Sequence, residues 1–269
     1  MFTFGWFSSG RDEAAIDLLA AAHDRMADGF IPGRIAYVFC DREPGETAAS
    51  DRFLAAVKDR GLPLVTHSSR ELRRQIRQRG PDLAAARNAF DAQVIARLEG
   101  FGAEVAVLAG YMLIISPRLC RTFLCLNLHP AVPGGPKGTW QEVMWQLMEA
   151  NAPEGAMMHL ATPELDEGPP AAYFRFSLRG PGFDPLWAAY AEKRRKRSLA
   201  AIQTQEGEAE PLFAGIRAEE LKREFPLILL TLKNLAEGRV KLTPQGAMAG
   251  GALLPQGLDL TAQVEEFLG

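Results

Sequence analysis

The chain has 269 residues, of which 47% are hydrophobic and 23% charged, and its formal net charge is −3. These values exclude wholesale disorder, which requires low hydrophobicity with high net charge, and they argue against a protein that coats nucleic acid. Three cysteines (Cys40, Cys120 and Cys125) are too few for a disulfide framework or a zinc site, so a reducing cytoplasm is the expected location. No apolar run approaches the ~18 residues of a membrane-spanning helix.

Short apolar runs alternate with helical patterns along the first half of the chain. The alternation predicts strands over residues 2–7, 34–40, 64–66, 105–109 and 124–128. Helices are predicted between them, over residues 13–26, 50–60 and 81–98. Strands that alternate with helices imply βαβ units, so we expect an α/β architecture with a mostly parallel sheet flanked by helices.

The character of the sequence changes after about residue 180. Residues 181–215 are predicted to be irregular, and they contain a basic run at 193–197 and an acidic stretch at 206–210. A single short basic run is more often a solvated helix face than a nucleic-acid contact, so a nucleic-acid partner is not expected. An amphipathic helix over 221–237 and a short strand over 239–242 are predicted next.

Polar side chains follow the predicted strand at 124–128. Asn127 and His129 alternate at its end, and strand alternation places both side chains on one side. Asp166 lies in a Gly- and Pro-containing loop after a second apolar run at 156–161. Ligands of open α/β sheets bind beyond the carboxyl ends of the strands, so these three residues could form one site. Each also has a structural interpretation as a turn cap, an edge histidine or an Asx-turn, and the spacing alone favours neither.

These motifs resemble those of the folate-dependent formyltransferase family. The resemblance rests on Asn127-x-His129-Pro130, on Leu165-Asp166-x-Gly168-Pro169 and on the segment at 107–112. Further matches are Arg87-Asn88-Ala89-Phe90-Asp91, Phe225-Pro226 and the segment at 236–241. The resemblance covers roughly residues 1–180 and 220–250. It implies a Rossmann-like formyltransferase fold with a catalytic domain at 1–180 and a mixed helical C-terminal extension at 181–269. The extension is expected to hold an insert at 181–215 and a helix that packs back on the core.

The resemblance implies transfer of a formyl group from the cosubstrate 10-formyltetrahydrofolate to a small-molecule primary amine. The leading acceptor is phosphoribosylglycinamide, an intermediate of purine biosynthesis. No metal and no membrane are required, and a homodimer is compatible with the family. Asn127 and His129 are implied to stabilise an oxyanion, and Asp166 to orient His129 and relay a proton. The implied folate-binding residues are Tyr111, Met112, Leu113, Ile114, Glu164, Leu165, Gly168 and Arg87. The implied acceptor-binding residues are Ser9, Gly10, Arg11, Asp12 and Pro130.

The turn after the first predicted strand has two interpretations. Related enzymes carry a glycine-rich Ser-Gly-x-Gly-Ser turn that binds phosphate at the start of a helix, whereas this chain has Ser-Ser-Gly-Arg-Asp-Glu at 8–13. Arg11 could pair with a phosphate, or Asp12 could cap the helix without any ligand.

Other functions therefore stay open. The chain could formylate another amine, such as an amino sugar or an aminoacyl group, or hydrolyse formyltetrahydrofolate. It could also be a folate-binding regulatory protein with a degenerate acceptor site. The complete set of Asn127, His129 and Asp166 counts against the regulatory protein, and the altered first turn keeps it open.

Overall fold

The computed structural model describes residues 1–78, 82–150 and 154–269. Its strands are, in chain order, β1 (Phe2–Ser8), β2 (Gly33–Cys40), β3 (Leu64–Thr66), β4 (Val105–Leu108), β5 (Cys125–His129), β6 (Glu154–Leu160), β7 (Pro170–Phe176), β8 (Lys241–Thr243), β9 (Gly246–Ala249), β10 (Ala252–Leu253) and β11 (Leu258–Asp259). Its helices are α1 (Glu13–Ala27), α2 (Ala48–Asp59), α3 (Arg70–Arg77), α4 (Leu83–Leu98), α5 (Pro117–Thr122), α6 (Trp140–Ala150), α7 (Asp184–Lys196), α8 (Leu199–Gln205), α9 (Pro211–Ala236) and α10 (Thr261–Leu268). The five predicted strands of the first half agree with β1 to β5 to within one residue at each end. The predicted start of the third helix at Pro81 lies outside the described residues.

The predicted α/β, Rossmann-like fold is confirmed. Eight strands form one sheet in the order β11-β7-β6-β5-β4-β1-β2-β3. The pairs from β3 to β5 are parallel, whereas β6 runs antiparallel to both β5 and β7. The strand order reverses beside β1, which pairs with β2 on one side and β4 on the other. Such a reversal opens a crevice at the carboxyl ends of the strands.

Apolar side chains cover both faces of this sheet. In β1, Phe4 and Trp6 pack into the cluster under α1, α2 and α9, whereas Phe7 packs into the cluster under α4 and α5. This division follows from strand alternation, because successive side chains point to opposite faces. All three rings are fully buried, and each of the two phenylalanines contributes about 1.5–3 kcal/mol of burial free energy. The buried strands hold the residues at their ends in fixed positions.

The expectation that residues 181–215 are irregular is wrong. Helices α7 and α8 lie in this range, and a third apolar cluster packs them against α6 and the first turns of α9. The basic run at 193–197 ends α7, and its members pair with carboxylates. Lys193 Nζ lies 2.8 Å from Glu210, Arg194 lies 2.9 Å from Glu149, and Arg197 pairs with Glu206. Composition alone could not show that these basic side chains are held in place, because their carboxylate partners come from other segments of the chain.

Helix α9 begins ten residues before its predicted start at residue 221. Glu210 caps it by accepting from the backbone N–H groups of Leu212 and Phe213, at 2.8 and 3.0 Å. Pro211 at the first helical position needs no N–H partner there, which favours the same start. The short strand predicted at 239–242 is displaced to Lys241–Thr243, where it joins β9 and β10 in a small antiparallel sheet.

Glu154 of β6 and Glu220 of α9 form a buried acidic pair, and each leaves one carboxylate oxygen without a hydrogen-bond partner. Burial and the charge of Glu220 raise the pKa of the Glu154 carboxyl above its ordinary value of 4.5. The folded state thus binds a proton that the unfolded chain releases, so stability falls as pH rises above 4.5.

We expect Glu154→Gln to raise the free energy of unfolding at pH 8 by about 1 kcal/mol or more. Urea unfolding at pH 8 and pH 5 measures this, with the exposed Glu99→Gln as the control. Equal effects of the two variants at pH 8 would contradict it.

Candidate active site

A cleft with two adjoining lobes opens where the strand order reverses. Lobe A, bounded by Ile114, His159 and Asp166, has a volume of about 310 Å³. Lobe B, bounded by Arg11, Arg217 and Phe225, has a volume of about 430 Å³. The residues common to both lobes are Leu108, Tyr111, Met112, Asn127, Leu128, Pro130 and Trp140. Two small molecules bound in the lobes would therefore meet at Asn127.

Asn127 and His159 lie opposite each other on the antiparallel strands β5 and β6. Residues that face each other on adjacent strands project from the same face, so the side chains meet. The Nδ2 atom of Asn127 lies 3.4 Å from Nε2 of His159, and Nδ1 of His159 lies 3.1 Å from the Leu160 carbonyl oxygen. Nδ1–H thus donates to the carbonyl, and Nε2 accepts from the Asn127 amide. This bond fixes the orientation of the Asn127 amide, which lines both lobes.

Asp166 lies between two imidazole rings. Its Oδ2 atom is 3.9 Å from Nδ1 of His129, and its Oδ1 atom is 3.9 Å from Nε2 of His159. Both distances are too long for a direct hydrogen bond. A single water or substrate oxygen between the carboxylate and either ring can bridge such a separation. The two rings are perpendicular, with centroids 6.0 Å apart. Asn127, His129 and Asp166 therefore belong to one cluster, in which Asn127 reaches Asp166 by way of His159.

The backbone around Asp166 is unusual. Asp166 has φ = +56° and is the single non-glycine residue with positive φ in the described parts of the chain. Such a conformation is uncommon for residues with a side chain and persists where the surroundings enforce it. Two residues later, a Cβ atom on Gly168 would lie 1.6 Å from the Leu160 carbonyl oxygen. Gly168 thus allows the loop to close tightly on β6, and this closure presents Asp166 to the rings.

His129 is held from its far side. Its Nε2 atom lies 2.9 Å from the carbonyl oxygen of Pro136, and the side chain is buried. Donation from Nε2–H to that carbonyl leaves Nδ1 facing Asp166. The loop that carries Pro136 is joined to the Asp166 loop by Lys137 and Glu167, whose charged atoms lie 2.8 Å apart. Two loops thus position one histidine and one carboxylate.

The His159 imidazole is held neutral. Burial and the neighbouring His129 ring lower its pKa from 6.5 to about 4, and this outweighs the opposing effect of Asp166. A neutral Nε2 can accept from Asn127, which agrees with the hydrogen bond described above. His159 was not identified from the sequence, because its position beside Asn127 depends on the antiparallel pairing of β6. Its place near the end of the strand before the Asp166 loop is the one sequence signal that could have indicated it.

The lowered pKa of His159 predicts acid sensitivity. Between pH 6.5 and pH 4 the unfolded chain binds a proton at this residue that the folded chain does not. The free energy of unfolding therefore decreases as the pH is lowered through this window. From pH 6.5 to pH 5 the expected loss in free energy of unfolding is about 2 kcal/mol. His159→Gln should remove this part of the pH dependence in urea unfolding experiments. His23→Gln, on the surface of α1, serves as the matched control, and an unaltered slope in His159→Gln would contradict the assignment.

Lobe A contains most of the residues expected to bind folate. Tyr111, Met112, Leu113, Ile114 and Leu165 line it. Seven large apolar side chains are exposed in the described part of the chain, and four of them line the cleft: Met112, Ile114, Leu165 and Leu221. This concentration of exposed apolar surface marks the cleft as a binding surface.

Three residues predicted to bind folate lie elsewhere. Gly168 lines a separate cavity of about 230 Å³ behind His129 and Asp166. Glu164 belongs to the Asp166 loop but lines neither lobe, and its carbonyl oxygen accepts from the Thr162 hydroxyl at 2.9 Å. Arg87 lies on α4, outside the lining of both lobes. Spacing along the chain could not separate these positions from those that face the cleft.

The first turn is organised by internal hydrogen bonds. Ser9 is buried, and its hydroxyl oxygen accepts from the Met112 backbone N–H at 3.0 Å and from Arg73 at 3.3 Å. Asp12 caps α1, because its Oδ1 atom accepts from the Ala15 backbone N–H at 3.3 Å. Arg11 and Asp12 line lobe B, as does the predicted Pro130, whereas Ser9 and Gly10 line neither lobe.

Helix α9 supplies a wall of lobe B that sequence reasoning did not identify. Arg217, Leu221, Glu224, Phe225 and Ile228 all face this lobe. Their spacing, in which each residue has another member three or four positions away, places them on one face of the helix. Helical periodicity alone could not separate this wall from an ordinary core stripe.

Two absences concern the described residues only. No group of three or more His, Cys, Asp and Glu side chains is arranged there to hold a metal ion. No helix within the same residues has the length and apolarity needed to cross a membrane.

Comparison with known proteins gives a consistent result. The sequence model of the family described as Formyl transferase matches residues 10–175. The phosphoribosylglycinamide formyltransferase of Escherichia coli K12 is 28% identical over 173 residues, which are 63% of this chain and 67% of that protein. The glycinamide ribonucleotide transformylase 1 of Symbiobacterium toebii superposes with a TM-score of 0.61 at 22% identity, over 93% of this chain and 94% of that one. The formyltetrahydrofolate deformylase of Burkholderia mallei superposes with a TM-score of 0.55 at 20% identity, over 92% of this chain and 69% of that one.

Proposed function

Because this chain belongs to the formyl transferase family, we propose that it transfers the formyl group of 10-formyltetrahydrofolate to a primary amine. The observation that carries the proposal is the placement of Asp166 between His129 and His159, beside Asn127 at the junction of two lobes. A formyl donor in one lobe and an amine in the other would meet at these polar groups. The fold itself does not select this reaction, since it also occurs in a deformylase.

Lobe A has the properties that a reduced pterin requires. Its wall combines apolar side chains (Met112, Ile114 and Leu165) with polar residues such as Asn127 and Asp166, and a flat heterocycle with polar edges needs both. When bound there, 10-formyltetrahydrofolate supplies the formyl carbon. The volume of lobe A, about 310 Å³, suits the pterin ring system, and the rest of the folate would extend from the open mouth of the cleft.

The polar cluster can serve both the charge and the proton of this reaction. Asn127 keeps one amide hydrogen for a formyl oxygen that gains negative charge, because the other hydrogen is used by His159. In its imidazolium form His129 can add a second donor through Nδ1, the ring nitrogen that faces Asp166, because Nε2–H is used by the Pro136 carbonyl. Donors of this kind are typically worth about 10²–10³ in rate each. Asp166 can accept a proton from the attacking amine, directly or through one water.

The acceptor predicted from the family resemblance is phosphoribosylglycinamide. The 28% identity with the phosphoribosylglycinamide formyltransferase of Escherichia coli K12 supports it. It is therefore the reference compound for an assay. Purified protein is mixed with 10-formyltetrahydrofolate, with and without the amine, and the release of tetrahydrofolate is followed by absorbance. Mass spectrometry identifies the formylated amine. A cytoplasmic location, a homodimer and a role in purine biosynthesis remain predictions that this assay does not address.

The outcomes of this assay separate the functions that the sequence left open. Amine-dependent release of tetrahydrofolate supports transfer. Release at the same rate without amine supports hydrolysis and contradicts the proposal. Folate binding without release, over a broad panel of amines, supports a regulatory folate-binding protein and contradicts it as well.

A further inference from the structure

We infer that lobe B accepts an amine carried on an apolar body without a phosphate group. This inference rests on the proposed formyl transfer and names the class of its acceptor. Three features of lobe B support it: the N-terminal end of α1, the carboxylate partners of its two arginines, and its apolar wall.

The first feature is the N-terminal end of α1, where the free backbone N–H groups of a helix could bind an anion. The carboxylate of Asp12 already accepts from the Ala15 N–H at 3.3 Å, and Glu13 follows in the first turn. A phosphate at this helix end would have to displace the Asp12 cap and would face its charge at short range. The turn is therefore closed to a phosphate by the chain itself.

The second feature is the charge state of lobe B. Two guanidinium groups line it, and both are engaged by carboxylates. Arg11 lies 3.2 Å from Asp12, and Arg217 lies 2.6 Å from Glu220 and 2.5 Å from Glu224. Arg217 is also stacked over the Trp140 ring at 4.8 Å. A phosphate needs guanidinium donors that are free to form a fork, and the doubly paired Arg217 does not offer them. Arg11 is 66% exposed, and it would meet a phosphate only beside the Asp12 carboxylate that it already contacts.

The third feature is the apolar wall formed by Leu18, Leu221, Phe225 and Ile228. Leu221 is 48% exposed and Phe225 is half-buried, so these two side chains leave apolar surface open in lobe B. Covering such a surface with an apolar ligand is favourable, whereas a sugar phosphate would leave polar groups against it. The amine end of the ligand would reach Asn127, which both lobes share.

A matched series of acceptors tests the inference. Glycinamide ribonucleotide, glycinamide riboside and N-benzylglycinamide present the same amine, with a phosphate, without it, and with an apolar ring in place of the sugar. We expect kcat/KM for formyl transfer to rise in that order, by about tenfold or more from first to last. A preference for the ribonucleotide over the riboside would overturn the inference and leave the proposed function intact.

Binding measured by calorimetry tests the acceptor class without turnover. Tighter binding of N-benzylglycinamide than of the ribonucleotide supports the inference even if transfer itself fails. Binding of none of the three compounds overturns it, since lobe B would then lack its proposed occupant.

A charge variant tests the physical cause. Asp12→Asn keeps a capping side chain and removes its charge. It should raise the kcat/KM ratio of ribonucleotide to riboside roughly tenfold, the size expected for one carboxylate about 5 Å from a doubly charged phosphate. Asp17→Asn removes the same charge from the exposed face of α1, outside lobe B, and should leave the ratio unchanged. Equal ratios in the two variants would overturn the assigned role of Asp12.

Discussion

Replacing His129 by asparagine is expected to lower kcat for formyl transfer about 10²–10³-fold, the effect of losing one donor to a developing oxyanion. The loss arises because the imidazolium form of His129 donates from Nδ1, the ring nitrogen that faces Asp166, while its Nε2–H is used by the Pro136 carbonyl. The fold should suffer less, because asparagine keeps an amide N–H donor at this buried position beside the Pro136 carbonyl. Steady-state kinetics with a saturating formyl donor, together with urea unfolding, measure the two effects.

Two companion variants sharpen this experiment. Asp166→Asn removes the carboxylate charge, and asparagine tolerates the φ of +56° at this position, so the loop should keep its shape. It should lower kcat by a similar factor and change the pH profile of kcat, which a purely structural residue would not do. His23→Asn on the surface of α1 should leave kcat unaltered. Parallel losses of activity and stability in His129→Asn would instead identify His129 as a structural residue.

Replacing Gly168 by alanine is expected to lower the free energy of unfolding by roughly 3 kcal/mol or more, because a backbone clash belongs to the severe class of substitutions. The new Cβ atom would lie 1.6 Å from the Leu160 carbonyl oxygen, a contact that only movement of the backbone can relieve. That movement would break the hydrogen bond from Leu160 N–H to the Pro169 carbonyl, which is 3.0 Å long. Asp166 would move with the loop, so formyl transfer should fall as well.

A second glycine provides the control. A Cβ atom on Gly102 would meet no atom within 4 Å, and its backbone does not require a positive φ. Gly102→Ala should therefore change the free energy of unfolding by less than about 0.5 kcal/mol. Urea unfolding of both variants compares the two sites directly. If Gly168→Ala were as stable as Gly102→Ala, the tight closure of the loop on β6 would be disproved.

The sequence was sufficient for the fold class, for the strands of the first half and for three residues of the site. Strands β1, β2 and β4 are mostly buried apolar runs, and such runs are visible without any partner. Asn127 and His129 follow from alternation at the end of β5, and the family resemblance adds Asp166. These features are local, since each depends on a few adjacent residues and on the two-residue period of a strand.

Tertiary structure decided what depends on distant partners. His159 joins the site because β6 runs antiparallel to β5, a choice that its own residues do not record. The basic run at 193–197 is ordered by carboxylates such as Glu149 and Glu210, which lie far away in the chain. The wall of lobe B exists because one face of α9 packs beside the turn that Asp12 caps. Side-chain pairs between remote segments carry no periodic signal, so packing alone determined which residues meet in the cleft.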